Sequence, residues 1–310
     1  MPAWRFDEGD RGCPAAVPRL ESIHPFIFSA ADGSATPDDL SAGRELWAGL
    51  NGPAADDTWL REGPVVSHHD MVRAVARRLG SELLSEVDLI VTVAAGSDWR
   101  HQSLPGPVLA DLAGSDPLIV GISEQGVAGP FTALRIAAGH LAAGSRRRAL
   151  VVLMEQSTLP PCATAARPER DAAVALLLGT LTGPELGRVE ITVTDRAAVA
   201  PRHSAPPPAV PPAGTLLAGA GLGDLTPADG ITLLRGEPGL PVTGLWLTLA
   251  HRLTSGEQPA GRLLVADRDP VLPYLCGLPL TWAGPDRDAG NTASAVSASS
   301  PDHAPKELVP

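Results

Sequence analysis

The 310 residues, 44% of them hydrophobic, are enough to bury one large α/β core or two smaller ones, which excludes disorder of the whole chain. The longest apolar stretches, Val87 to Ala95 and Ala172 to Leu178, fall far short of the roughly 20 residues of a membrane helix, and the acidic start lacks the apolar run of a secretory signal, so the expectation is a cytoplasmic protein with no membrane partner. A formal net charge of −11 gives no attraction to phosphate backbones, and nucleic acid is not expected as a partner.

Residues 1–19 are charged and broken by Gly and Pro, and read as a loose N-terminal segment. The following part, residues 20–196, alternates strand and helix signals. Ser67-His-His-Asp70 is a capping box, after which Met71, Val72, Val75, Leu79 and Leu83 repeat at helical spacing, predicting one helix that ends near Ser85. Val87 to Ala95 is apolar on both parities, the pattern of a strand covered on two faces. A short helix over Val108 to Leu112, a strand over Pro117 to Ser123 and a helix from about Pro130 to Ala143 follow. In that helix Phe131, Leu134, Ala138 and Leu141 form the buried stripe, and Gly144 suits the C-terminal cap. Strands are predicted at Ala149 to Met154, Ala172 to Leu178 and Val189 to Val193, the last half-exposed and antiparallel. The proline-rich stretch 197–214 reads as a linker. Beyond it, residues 215–283 give strand, helix and strand at Gly230 to Leu234, Thr243 to Leu253 and Gly261 to Ala266. Residues 284–310 read as a disordered tail. Strands alternating with helices of this length point to α/β layers.

Three cysteines, Cys13, Cys162 and Cys276, form no CxxC pair and leave an odd count, so neither a disulfide framework nor a cysteine zinc site is indicated. His68 and His69 are adjacent in a helix and do not face one ligand site; they read as first-turn surface residues. No metal and no cofactor is implied. Gly219-Ala-Gly221-Leu-Gly223-Asp224 lacks the third glycine of a dinucleotide fingerprint and reads as a loop. Trp246, with Leu245, Leu249 and Leu253, reads as core.

Four blocks between Met71 and Leu178 resemble the N-terminal half of β-ketoacyl-(acyl-carrier-protein) synthase III, a thiolase-superfamily enzyme. They are the helix before Val87-Asp-Leu-Ile-Val-Thr-Val-Ala, the segment Leu104-Pro-Gly-Pro-Val-Leu-Ala-Asp-Leu, the block from Ile122-Ser-Glu-Gln-Gly-Val-Ala-Gly-Pro-Phe to Leu134, and Ala143 to Glu155. Arg170-Asp-Ala-Ala-Val-Ala-Leu-Leu-Leu-Gly179 is similar to the family's next strand, and Arg252 to Ala266 is weakly similar to its penultimate helix and strand. The resemblance implies a thiolase-like layered αβαβα fold, here with a shortened C-terminal half. It also implies a dimer that pairs the strand Pro117 to Ser123, either a homodimer or a heterodimer with an active ketosynthase.

The family transfers an acyl group to a cysteine at a helix N-terminus, where the helix dipole stabilises the thiolate, and uses a His and an Asn to stabilise an enolate. Here the cysteine position falls on Gly126 counted from Ser123, or on Val127 counted back from Gly129, because the turn has one extra residue. Neither side chain can attack. Asparagine occurs only at Asn51 and Asn291; Pro238 to Trp246, which aligns with the family's Gly-Asn-Thr segment, contains none, and Gly290-Asn291-Thr292 has no apolar helix after it. The family's His-Gln-Ala-Asn segment falls on the proline linker, where His203 stands alone. The Cys-His-Asn triad is therefore not found.

The resulting expectation is a catalytically degenerate ketosynthase III-like protein, a noncatalytic partner in acyl or polyketide (secondary metabolite) biosynthesis. Gln125, Gly126, Val127 and Ala128 would form its vestigial acyl site, and acyl-carrier protein or acyl-CoA its partners. Arg146, Arg147 and Arg148, in a tight turn before a strand, are candidate carrier contacts. The competing expectation is an active acyltransferase, decarboxylase or hydrolase. In it Gln125 donates a hydrogen bond to a malonyl-thioester, or Ser123 in Gly121-Ile-Ser-Glu-Gln125 acts as nucleophile with Asp195 or Asp224 and His251.

Overall fold

The computed structural model describes residues 16–52, 56–100, 104–159, 167–194, 214–227, 229–256 and 261–282. Cys13, Cys162, Asp195, His203, Asn291, residues 197–213 of the linker and the tail lie outside them, while Gly214 opens a strand instead of closing the linker. Among the described residues no helix is long and apolar enough to cross a membrane.

The first half of the molecule comprises β1 (Arg19–Ile27), α1 (Pro37–Asn51), α2 (Thr58–Glu62), α3 (His68–Leu79), α4 (Ser81–Ser85), β2 (Leu89–Ala94), α5 (Pro105–Ala113), β3 (Leu118–Ser123), α6 (Ala128–Ala142), β4 (Ala149–Glu155) and β5 (Ala172–Gly179). The second comprises β6 (Glu185–Leu186), β7 (Glu190–Val193), β8 (Gly214–Ala218), β9 (Ile231–Arg235), α7 (Gly244–Thr254), β10 (Arg262–Arg268) and β11 (Tyr274–Thr281). The single helix expected over 71–85 is two helices: Gly80, at φ +80°, takes a conformation that breaks the α-helical path between α3 and α4. The capping box at Ser67 and Asp70 is present, with Asp70 N–H donating to Ser67 Oγ at 3.1 Å and Ser67 N–H to Asp70 Oδ2 at 3.0 Å.

The strands join in the order β3-β2-β4-β5-β1-β6-β11-β10-β8-β9, with β7 also on β11. From either outer edge the pattern is the same: two parallel pairings (β3–β2–β4 and β9–β8–β10) are followed by antiparallel ones (β4–β5–β1 and β10–β11–β7). Even the terminal bond is repeated. Phe28 N–H donates to Asp171 O beyond the end of β1, and Thr194 N–H donates to Pro273 O beyond the end of β7. The molecule is thus two copies of one unit, a repeat of architecture with no matching repeat of residues.

The two half-sheets enclose α6 and α7. Inward residues of both, such as Val91, Val151, Val174, Leu217, Val265 and Leu278, share one core with Phe131, Leu134, Leu141, Trp246 and Leu249 of the helices. Phe131 and Trp246 meet edge to face, with centroids 5.4 Å apart and planes at 61°. The buried stripe of α6 runs through Ala137 (0% exposed) rather than Ala138, while Gly144 at φ +65° caps the helix as its sequence position suggests. On the outer face of the first half-sheet, Ile90, Leu150 and Val152 pack against Val72 and Val75 of α3 and Leu109 of α5. Among the described residues no α-helix lies over the outer face of the second half-sheet, which carries only the short turn through Leu222: residues 28–88 separate β1 from β2, whereas only residues 194–213 separate β7 from β8. This is the shortened C-terminal half.

Removing the contact between the central helices should be severe, because its two aromatic rings are 1% exposed and have no route to relax. Trp246→Ala is expected to lower the unfolding free energy by about 3–5 kcal/mol, read as a shift of the urea midpoint with little change in slope.

Candidate functional site

The turn between β3 and α6 is where the extra residue is absorbed. Glu124 and Gly126 both take left-handed backbone conformations, at φ +57° and φ +53°. Ala128 N–H donates to Gln125 O at 3.1 Å, Gly129 N–H donates to Gly126 O at 3.2 Å, and Pro130 has no N–H to offer. The remaining donor, Val127 N–H, is bonded at 2.9 Å to Oδ2 of Asp269, in the turn after β10. Asp269 is itself anchored, its Oδ1 accepting Val271 N–H at 2.9 Å and Leu272 N–H at 2.7 Å. A Cβ built on Gly126 would collide with Asp269 Oδ2. The carboxylate therefore occupies the space in which a side chain at the expected nucleophile position would stand, and every donor of the first turn of α6 is already bonded.

The N-terminus of α7 is closed in the same way from the other half. Glu155, at the end of β4, accepts Val242 N–H at 2.8 Å, Thr243 N–H at 2.6 Å and Thr243 Oγ1–H at 2.5 Å. Burial pushes its carboxyl up, and these donors pull it back. Glu155 and Asp269 are counterparts. Ala149 and Leu263 are the first inward residues of β4 and β10, each pairs with the matching inner strand (Leu89 and Thr215), and each carboxylate stands six residues further on. Each half thus caps the central helix of the other, with the charge favoured by the helix dipole.

Between the two helix N-termini lies a cavity of about 240 Å³, lined by Val127, Gly221, Leu240, Pro241, Pro270 and Asp267, with Arg167 at its rim. Asp267 is 4% exposed; its Oδ1 accepts Arg268 N–H at 2.7 Å and Gly221 N–H at 3.2 Å. Burial raises its carboxyl to about 7, against the pull of those bonds and with a push from Asp269. The turn Gly219–Leu222 gives the carboxylate its room, since a Cβ on Gly219 would overlap it; the glycines read as a loop in the sequence have this packing role. Cys276, opposite Asp267 on β11, is fully buried, and burial pushes its thiol up to about 12, so it is no nucleophile at neutral pH.

The other expected site residues are dispersed. Val127 and Ala128 are buried, Gln125 is half-buried, and Ser123 is exposed at the end of the edge strand β3. His251 is exposed near the far end of α7, about 10 Å along the helix from the N-terminus that faces the cavity. Asp224 is exposed in a loop. No triad with Ser123 forms among the described residues. Arg146, Arg147 and Arg148 lie at the start of β4, about 20 Å of strand away from Glu155; Arg148 is held by Glu21 at 3.0 Å and by Glu86, and Arg147 N–H donates to Asp88 at 2.9 Å. His68 and His69 are buried, not on the surface, because α3 packs its first turn against the loop after β2: His68 N–H donates to Asp98 Oδ2 at 2.9 Å, and burial holds the imidazole below its usual range. Among the described residues no group of His, Cys, Asp and Glu is arranged to hold a metal ion. Asp267, Asp269 and Glu155 were not singled out from the sequence. The available signal was Asp267-Arg-Asp269 closing an apolar strand, a spacing that puts both carboxylates on one face.

Two outcomes test this geometry. Asp269→Ala leaves the N–H groups of Val127, Val271 and Leu272 unpaired and should lower stability by about 1–3 kcal/mol, whereas Asp269→Asn, which keeps acceptors, should lose less; equal urea midpoints for wild type and Asp269→Ala would sink the cap. Asp267 has a folded-state pKa above its unfolded value of 3.8, so its stabilising contribution is present at low pH and lost as pH rises through about 7. Asp267→Asn should therefore flatten the fall in stability between about pH 4 and 7, followed by urea midpoints across that range.

No family model matches the sequence, and no curated protein matches it. Solved structures do. The chain is similar to 3-oxoacyl-(acyl carrier protein) synthase III, FabH, from Pseudomonas aeruginosa PAO1, with a TM-score of 0.56 and 16% identity over 86% of this chain and 99% of that one. It is similar to the acyltransferase ChlB3, at TM-score 0.56 and 20% identity over 86% and 97% of the two chains. It is also similar to AbyA1, a tetronic acid condensing enzyme, at TM-score 0.55 and 16% identity over 86% and 100%. At these identities the likeness is one of fold alone: the chain shares the layered α/β architecture of these three structures.

Proposed function

We propose that this protein is a noncondensing ketosynthase III-like component of acyl or polyketide assembly, one that acts beside an active synthase without forming an acyl-enzyme. The observation that carries the reading is the Asp269 carboxylate lying over Gly126 and bonded to Val127 N–H. A covalent acyl transfer at this turn needs a nucleophile and free N–H donors for the oxyanion. The turn has no cysteine, the N–H groups of Val127, Ala128 and Gly129 are already bonded, and the thiol of Cys276 is buried and protonated.

The same reading expects a dimer. β3 is the outermost strand of the first half-sheet, and Leu118 and Ile119 on it are 36% and 37% exposed, an open hydrogen-bonding edge with apolar side chains. A second copy, or an active ketosynthase, pairing along this edge would cover both features, and acyl-carrier protein or acyl-CoA is the further partner this reading expects.

Intact-mass measurement after incubation with acyl-CoA and acyl-carrier thioesters should show no adduct, and a partner synthase should be stimulated. A stable mass gain mapped to the peptide Ile122 to Phe131 would overturn the reading in favour of chemistry through Ser123 or Gln125. Light scattering should report a dimer that Ile119→Pro, which removes an edge N–H on the side of β3 away from β2, converts to monomer; a wild-type monomer that co-purifies with no ketosynthase would count against the association.

A further inference from the structure

We propose that the cavity between the N-termini of α6 and α7 is a binding site for a small organic ammonium ion, seated against Asp267. The inference rests on the cavity alone and holds whether or not the protein serves an acyl synthase.

The wall of the cavity formed by the start of α6 offers no free donor, and the carboxylate of Asp267 faces it. In the β3–α6 turn, Val127, Ala128 and Gly129 have their N–H groups bonded and Pro130 has none, so a ligand oxygen finds no donor there. An anion meets two carboxylates on one strand face, Asp267 and Asp269, two residues apart. Asp267 is almost wholly buried, yet among the described residues no Arg or His lies within ion-pair distance of it. A buried carboxylate without a counter-charge carries a large desolvation penalty, which a cation brought from solution offsets.

On β10 and β11 the groups facing Asp267 are acidic or neutral, and the lining cation Arg167 is engaged with Ser157 O. Asp269 stands on the turn after β10, and Cys276 on β11 presents a neutral thiol. Arg135 of α6 acts on Cys276 from an exposed position. At the rim, Glu169 packs against Gly239, and Arg167 is turned to Ser157 O, which accepts from its Nε at 3.1 Å and its Nη2 at 2.9 Å. The remaining walls, Val127, Leu240, Pro241 and Pro270, suit a short alkyl body. A volume of about 240 Å³ lies below the roughly 300–1,000 Å³ of pockets for drug-sized ligands, which limits the occupant to a few carbons around its charge.

The test is a 15N–1H NMR titration of the full chain with n-propylammonium, and with propionate and 1-propanol as controls of equal size and different charge. Propylammonium is expected to shift the amides of Val127, Gly221 and Gly239, and to bind about tenfold more weakly at pH 6 than at pH 8, because a carboxyl titrating near 7 is about one-tenth ionised at the lower pH. Asp267→Asn should abolish the shifts in an otherwise unchanged spectrum; should that variant not fold, the pH comparison on the wild type decides. The proposal is overturned by no shift at these amides, by propionate or propanol binding as tightly, by an affinity flat across pH, or by undiminished binding to folded Asp267→Asn.

Discussion

A helix buried end-on between two sheets presents its N-terminal N–H groups to a region without water, and those groups need acceptors from somewhere. α6 and α7 both face this demand, since the half-sheets close over them and leave Trp246 and Phe131 only 1% exposed at their crossing. The solution is reciprocal. Glu155, from the first half, serves α7; Asp269, from the second, serves α6. The halves are thereby joined by two charge-assisted caps as well as by their common apolar core, and the positions of the turns that carry these carboxylates follow from where the helices begin.

That arrangement has a chemical consequence. A helix N-terminus is valuable to catalysis when its field and donors are free for a developing negative charge. Here the N–H at the start of α6 is already bonded to the side chain of Asp269, which fills the volume a Cβ on Gly126 would need. Placing a cysteine at position 126 would require moving the turn after β10, not one side chain. The absence of a side chain at Gly126 and the position of Asp269 are one structural fact seen from two strands.

Much of the fold was legible in the sequence where local pattern and tertiary role agree. β2, β4 and β5 are buried on both faces and read as continuous apolar runs, and α6 carries its stripe and its terminal glycine. β1 and β11 were missed because Pro25, Gly277 and Pro279 interrupt them; their strand character comes from the neighbours that pair with them. α1 was missed because it buries no residue and so has weak periodicity. The space over Gly126 was legible as lacking a side chain by inspection of one turn. What fills it was not, because Asp269 lies 142 residues from Val127 and reaches it only through the register of β10 against β8 and β11. The burial of His68 likewise depends on Asp98, thirty residues away, beyond the reach of helical spacing.

The repeat also shows where the two halves diverge. Superposing β4 on β10 through Ala149 and Leu263 sets Glu155 on Asp269, the shared cap, but sets Leu153 on Asp267. Leu153 is 0% exposed and belongs to the common core, as that inward position of the strand requires. Asp267 puts a carboxyl in the equivalent place, beside a turn of glycines and a cavity of about 240 Å³. Stability alone favours leucine at such a position, since the carboxyl brings a desolvation penalty and forfeits apolar burial. A fold that repeats its cap faithfully and breaks its core at one adjacent position places the polar group where something other than the core meets it.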